Sequence, residues 1–275
     1  MQKKIAVIND LSGYGRCSLT VAIPVLSAMG HQCCPIPTAI LSNHTEFPVY
    51  FFDDYTEKMT TYTDKWKELG LSFDAIATGF LGSEAQIGIV MEIVQKLKAE
   101  KTFVVVDPVM GDHGHAYETY TPEMCEQMKE LVCMADVVLP NVTECCILTD
   151  TPYREEIWTR KDLLNMAMML RLMGAKSVVI TGVREGSCYT NVVLEQGQYD
   201  AKFIRTRSSG GERPGTGDVF SSVVAGALLN GKSLPEAVSQ AAGFVKECIK
   251  VSDEEQIPHA NGVCFEKILG KLIKK

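Results

Sequence analysis

Short apolar runs alternate along this chain with longer amphipathic stretches, and that alternation constrains the fold more than any single motif. A buried parallel strand reads as a continuous apolar run, whereas a helix lying on a sheet repeats its apolar positions with the period of the helical turn. Apolar runs occur at 5–8, 34–39, 75–78, 103–106, 137–139 and 177–180. Helical patterns occur at 18–29, 56–69, 84–99, 122–133 and 160–173. Repeated βα units of this kind fold around a mostly parallel sheet covered on both faces. The helix starts agree. Thr121 before Pro122 reads as an N-cap followed by proline at the first helical position, where a missing N–H costs nothing. Thr159 with Asp162, and Ser233 with Glu236, have the spacing of capping boxes.

After about residue 184 the pattern changes. Two β-rich runs, 187–194 and 199–206, flank Glu195-Gln196-Gly197-Gln198 and predict an antiparallel hairpin at a sheet edge. A loop over 208–218 then leads into a helix from Val219, with Phe220, Val223, Val224, Ala227 and Leu228 continuing its apolar face. No linker or internal repeat interrupts the chain. The expected architecture is one α/β domain over 1–275, a three-layer α/β/α sandwich with a mostly parallel central sheet and an antiparallel edge hairpin. With 46% hydrophobic and 22% charged residues, the chain supports a packed core and is unlike disordered sequences.

Charge and cysteine usage narrow the partners. Lys and Arg number 27 against 34 Asp and Glu, a formal net charge of −7 with no long basic run, which argues against nucleic acid and anionic membranes. The ten cysteines include two adjacent pairs and no Cys-x-x-Cys. The N-terminal stretch has too few apolar residues for a secretion signal, and no run is long enough to span a bilayer. These features lead us to expect a cytoplasmic protein whose reduced thiols pack as small hydrophobes.

Gly215-Thr216-Gly217-Asp218 carries the most chemistry. Glycines let the backbone turn tightly and aim several N–H groups at the start of the following helix, a nest for anions and above all for phosphate. An acid directly after the last glycine would lie beside that anion, placed to take a proton from an attacking hydroxyl while the amides hold developing charge. Spacing alone leaves two roles open for Asp218, general base or helix cap. The context differs from a dinucleotide fingerprint, whose glycines follow the first strand, and no Walker A loop is present.

Other polar groups stand at predicted strand ends. Asp107 ends an apolar run and Pro108 stops it, while Asn141 and Glu144 follow the run at 137–139. Acids at the carboxyl ends of parallel strands face the ligand crevice and are reasonable ligands for a hard cation, usually through water for Mg²⁺. Taken singly these residues read as helix caps; together with the glycine-rich loop they make a site. The segment from Asn9 to Gly15, and Ser42-Asn43-His44-Thr45, form polar loops able to hydrogen-bond a substrate, with turn chemistry the alternative for Gly13, Gly15 and Asn43. His113 and His115 read as a solvated loop, and Met166, Met168, Met169 and Met173 as core filling. Ser12 lacks a Gly-x-Ser-x-Gly elbow, which disfavours hydrolase chemistry.

Assembled, these motifs resemble the ribokinase-like superfamily and, within it, the vitamin B6 kinases acting on pyridoxal, pyridoxine or pyridoxamine. The likeness spans nearly the whole chain. It rests on Ser42-Asn43-His44-Thr45, Asp107-Pro108-Val109-Met110-Gly111-Asp112, Pro140-Asn141 with Glu144, and Gly215-Thr216-Gly217-Asp218. The resemblance implies that Asp218 is the catalytic base and that Gly215, Thr216 and Gly217 form the anion hole. It places Asp107 and Glu144 at Mg²⁺ and the ATP phosphates, Asn141 at ATP, and Asp112 and Tyr117 near the metal. Thr45 would contact the pyridine substrate and Phe80 would pack on its ring. Thr181, Gly182 and the helical stretch 244–249 fall by position at the adenine pocket.

One segment departs from the pattern. Many pyridoxal kinases carry a Ser-His pair after the first strand, whereas Asp10-Leu11-Ser12-Gly13 is similar to the Asp-Pro-Ser-Gly segment of hydroxymethylpyrimidine kinases. Asp10 and Ser12 are assigned to the substrate, and an acid at Asp10 would favour a cationic or hydrogen-bond-donating ring. The glycine-rich loop also lacks the cysteine with which some relatives trap an aldehyde. The resemblance implies a homodimer that uses ATP and Mg²⁺, with a monovalent cation as a further candidate, and phosphorylates the 5′-hydroxymethyl group of a B6 vitamer. Two alternatives stay open: a hydroxymethylpyrimidine (phosphate) kinase, and a non-catalytic nucleotide- or vitamin-binding protein on the same fold.

Overall fold

The computed structural model describes residues 2–273. In chain order the elements are β1 (Lys4–Ser12), α1 (Ser18–Ala28), β2 (Gln32–Leu41), β3 (Phe52–Asp54), α2 (Thr56–Glu68), β4 (Ala75–Thr78), α3 (Glu84–Leu97) and β5 (Phe103–Val106). Next come β6 (Gly111–Asp112), β7 (His115–Ala116), α4 (Pro122–Cys133), β8 (Val137–Val138), α5 (Val142–Leu148) and α6 (Arg160–Met173). The chain continues through β9 (Ser177–Glu185), β10 (Cys188–Leu194), β11 (Lys202–Arg207), α7 (Thr216–Leu229) and α8 (Leu234–Glu254), then two 3₁₀ turns, His259–Asn261 and Glu266–Leu272.

Nine strands form one sheet in the order β11-β10-β9-β8-β5-β4-β1-β2-β3. The six strands from β9 to β2 in that order are parallel to their neighbours. At one edge β10 and β11 form the expected antiparallel hairpin, and at the other β3 pairs antiparallel with β2.

Side-chain alternation along the strands divides the core between two faces. Ala6, Ile8, Ile76, Val104, Val106, Val178 and Ile180 join the cluster containing residues of α2 to α6. Ile5, Val7, Ala75, Val105 and Val179 join the cluster with α1, α7 and α8. A sheet buried on both faces by helices is the three-layer sandwich that the alternation of elements implied.

The strong start signals hold. Thr121 caps α4 by accepting from the Met124 N–H, with Pro122 in its first turn. Thr159 and Asp162 form the capping box of α6, and Ser233 and Glu236 that of α8. All ten cysteines are free. Met166 is buried, Met168 and Met173 pack partly against the core, and Met169 is instead exposed. No helix among the described residues is long and apolar enough to cross a membrane.

Four local readings change. β1 extends to Ser12 because its pairing with β2 resumes at Leu11 and Ile40 after a register shift, so Asn9 to Ser12 belong to a strand end rather than a free loop. α7 begins at Thr216, not Val219, because the left-handed Gly215 opens the helix earlier. The hairpin's second strand starts at Lys202, with the turn running further than Gln198. His113 and His115 are exposed, as expected, but belong to a small β6–β7 hairpin.

Candidate active site

The site lies where the chain changes direction across the sheet. After β1 the chain builds β2 and β3 on one side and then returns to place β4 on the other. A crevice opens outside the carboxyl ends of the strands at such a switch point. Asn9 lies near the end of β1, Gly79 and Phe80 follow β4, Asp107 follows β5, and Asn141 follows β8.

Two helix N-termini converge on Asp218. Gly215, at φ +76°, is the N-cap of α7 and makes no side-chain cap, and Asp218 sits in the first turn. The backbone N–H of Ser18, which opens α1, donates to the Asp218 carboxylate, and Asn9 Nδ2 donates to its Oδ1 at 3.2 Å. Asp218 is therefore not the N-cap of its helix; its carboxylate faces Asn9 and the start of α1. Burial pushes this carboxyl up to about 6; the Ser18 N–H opposes the rise, Asp10 adds to it, and Asn9 opposes it.

The glycine-rich turn is held from behind. A Cβ on Gly215 would lie 1.7 Å from the carbonyl oxygen of Arg16, so the turn packs directly on the β1–α1 connection. Arg16 is itself tied down, with Nε donating to Glu266 Oε1 at 2.7 Å and Nη1 to the Asn261 carbonyl at 3.1 Å. Thr216 Oγ1 donates to the Arg213 carbonyl at 3.0 Å, and Gly217 faces open space.

Asp107 and Glu144 continue the acidic cluster. Burial and then the neighbouring Asp218 raise the Asp107 carboxyl, against a hydrogen bond from Ser221. Burial and then Asp107 raise Glu144 in turn. Glu144 accepts from the Met110 N–H at 3.2 Å and the Asn141 N–H at 2.7 Å, while Asn141 Oδ1 accepts from the Glu144 N–H at 2.9 Å. The last two bonds are the capping box of α5, so both residues do serve as caps while Glu144 also belongs to the acidic cluster. Asn141 Nδ2 donates to the Gly111 carbonyl at 2.8 Å, fixing the hairpin that carries Asp112.

No group of three or more His, Cys, Asp or Glu among the described residues is arranged as a metal cage. The donor set suits a different mode. Burial and then Asp218 raise the affinity of Asp107 for protons, burial and then Asp107 raise that of Glu144, and the groups acting most strongly on them include no cationic side chain. A hard cation that keeps most of its waters and needs only one or two carboxylates fits such a pair.

The remaining predicted residues are distributed around this centre. Asp10 is buried, its two carboxylate oxygens accepting from the Ser12 and Ser18 hydroxyls, and Ser12 is fully buried against it. Burial raises the Asp10 carboxyl, and those two hydroxyls oppose the rise. Phe80 is half-buried, its N–H donating to Asn9 Oδ1 at 2.9 Å and its carbonyl accepting from Thr38 Oγ1. Thr45 is exposed in the loop after β2, a loop anchored by the His44 ring on the Ala260 carbonyl at 2.7 Å. Asp112 and Tyr117 are also exposed, and the Tyr117 N–H donates to the Met110 carbonyl. Thr181 bridges to Asn141 and donates to the Pro140 carbonyl, which places β9 beside the acidic cluster. Gly182, at φ +66°, is exposed beside it. The stretch 244–249 lies within α8, with Phe244 and Cys248 turned into the core.

Sequence reading missed the supporting residues. Asn9 was visible only as the start of a polar segment able to hydrogen-bond a substrate, with no sign of its contact to Asp218, and Arg16, Ser18 and Ser221 carried no motif. Their roles come from contacts across the fold. The arrangement joins an ionisable carboxylate, two helix N-termini, an anion nest and two further acids. That combination is chemically suited to taking a proton from a hydroxyl and holding a transferring phosphoryl group.

Comparison with known proteins agrees with this chemistry. The family described as phosphomethylpyrimidine kinase matches residues 22–264. A Bacteroides thetaiotaomicron protein assigned to that activity has a crystal structure with TM-score 0.96 and 39% identity, covering 100% of this chain and 95% of its own. A second crystal form, containing pyridoxal, gives TM-score 0.94 over 99% of this chain and 96% of its own. The pyridoxine kinase of Bacillus subtilis is 28% identical over 92% of this chain and 85% of its own length. A hydroxymethylpyrimidine/phosphomethylpyrimidine kinase of Aquifex aeolicus is 33% identical over 62% of this chain and 66% of its own. The chain thus belongs to the phosphomethylpyrimidine kinase family, whose ribokinase-like relatives include pyridoxine and pyridoxal kinases, and is a phosphotransferase with an alcohol acceptor.

Proposed function

We propose that this kinase transfers the γ-phosphate of ATP to the 5′-hydroxymethyl group of pyridoxal, pyridoxine or pyridoxamine. The observation that carries the reaction is Asp218, a carboxylate at the meeting point of two helix N-termini, directly after the anion nest. Asp218 accepts the proton of the attacking hydroxyl, and the amides of Gly215 to Asp218 take up charge on the transferring group. Phe80 flanks the ring, with Thr45 at the edge of the same crevice. Asp107 and Glu144 would hold Mg²⁺, which neutralises phosphate charge when bound, with Asp112 and Tyr117 bordering it. Asn141, Thr181 and Gly182 border the nucleotide. The proposal includes a monovalent cation as an activator and a cytoplasmic homodimer as the working form.

Vitamin B6 is favoured as acceptor by the likeness to a structure that contains pyridoxal. Hydroxymethylpyrimidine is the second reading, favoured by the family match and by Asp10-Leu11-Ser12-Gly13. Steady-state assays with MgATP and each acceptor separate the two. We expect the highest kcat/KM with a B6 vitamer; a higher value with hydroxymethylpyrimidine would replace that substrate assignment. Turnover of none of them would leave a binding protein.

The same reading sets a pH dependence. Asp218 must be ionised to accept a proton, and burial pushes its carboxyl above the ordinary aspartate range, up to about 6. Protonation on the acid side therefore removes the base, and kcat/KM should fall as pH drops through that region. A profile that stays flat down to the ordinary carboxylate range would show that Asp218 is not the titrating base.

A further inference from the structure

The buried amide of Asn9 links two parts of the crevice that approach each other only in the folded chain. Asn9 is 6% exposed on β1. Its Oδ1 accepts from two fixed backbone donors, the N–H of Asp10 at 3.0 Å and that of Phe80 at 2.9 Å. Because both partners are donors, the oxygen must face them, and the Nδ2 group is left to face Asp218 Oδ1 at 3.2 Å. The amide also has little room to move. A Cβ on Gly79 would fall 2.4 Å from Asn9 Nδ2 and 2.6 Å from its Cγ, so the side chain lies flat against the turn after β4.

We propose that Asn9 is a positioning residue that sets the orientation of the Asp218 carboxylate and its distance from the substrate-facing turn at Gly79 and Phe80. This inference rests on the kinase reading above. One planar group holds the base with its donor and the Phe80 backbone with its acceptor, so the two cannot drift apart independently. An acid at this position would keep the acceptor but lose the donor, and it would bring a further negative charge to a site already lined by Asp10, Asp107 and Asp218. Cys17 borders the same cluster, and burial raises its thiol, so it adds no charge at neutral pH. A hydrophobic residue would lose both bonds. Asparagine satisfies the base and the turn together.

The test is a double-mutant cycle on the full chain in steady-state assays with MgATP and pyridoxal. Asn9→Asp should lower kcat about 10- to 100-fold, the scale for a misplaced catalytic group, while KM for ATP stays within about twofold. In an Asp218→Asn background the same change should cost nothing further, because the acceptor to Phe80 is kept and the lost donor acts only through Asp218. The inference is overturned if Asn9→Asp keeps kcat within twofold of the parent, or if its full cost persists beside Asp218→Asn. If Asp218→Asn alone retains the parent rate, the base assignment fails instead, and the two failures are distinct. Thermal melts check folding. Should Asn9→Asp melt early, Gly79→Ala displaces the amide from the opposite side. It should give the same split between kcat and KM, and an unchanged kcat for that variant overturns the inference.

Discussion

Asp218→Asn should lower kcat by about 10²- to 10⁴-fold while changing KM for ATP and for the acceptor by only a few-fold. The substitution keeps the shape of the side chain and removes its ability to take a proton. It also removes a negative charge that lies against both Asp10 and Asp107, so the protein should be no less stable. Loss of rate without loss of stability or binding is the signature of a group that acts in the transition state. Single-turnover kinetics and a thermal melt on the same preparation check both halves. A near-parental kcat would move the base elsewhere in the crevice, whereas a collapse in Tm would make Asp218 a structural residue.

Gly215→Ala should be the most damaging single-methyl change in the chain, and Gly217→Ala one of the mildest for stability. At Gly215 the backbone is left-handed and the new Cβ would meet the Arg16 carbonyl oxygen at 1.7 Å, a backbone atom that cannot turn aside. The left-handed conformation alone costs alanine about 1–2 kcal/mol. The clash forces the turn away from the β1–α1 connection, which misaims the amides and should cost at least about 10² in kcat. Gly217 has no such constraint. It lies in the first turn of α7 with nothing within 4 Å of its Cβ position, so alanine should leave Tm unchanged or raise it slightly. Melting curves and kcat for the pair check the contrast, and equal melting temperatures would show that the Gly215 turn is not packed as described.

The parts of the fold that were legible share a physical property. The runs at 75–78 and 103–106 are strands with those same bounds, and α4 and α6 begin and end where their caps and apolar periods placed them. Each is specified within its own stretch of chain. β3 has no such signal. Phe52 to Asp54 are all exposed, and only pairing with β2 makes them a strand. α5 has seven residues, too few to show a helical period, and β6 and β7 have two each. The acids at strand ends were readable because topology sends such positions to one crevice. Asn9 was not, because its meaning depends on Phe80 and Asp218, 71 and 209 residues away. Ser12 reads in the sequence as a polar group near the first strand end, and only the fold shows its hydroxyl bonded to Asp10.

The tie between Arg16 and the segment at Asn261 and Glu266 bears on the order in which the molecule takes shape. Arg16 bonds to Glu266 across 250 residues, and Asn9 to Asp218 across 209. Closing such long loops carries an entropic cost that falls only after the intervening sheet has brought the ends together. The parallel strands are laid down by residues between 4 and 185, well before the chain reaches the glycine-rich turn or the brace behind it. The first 185 residues therefore carry every parallel strand but not the catalytic turn. The site depends on contacts between the two ends of the chain, which ties activity to the fold as a whole.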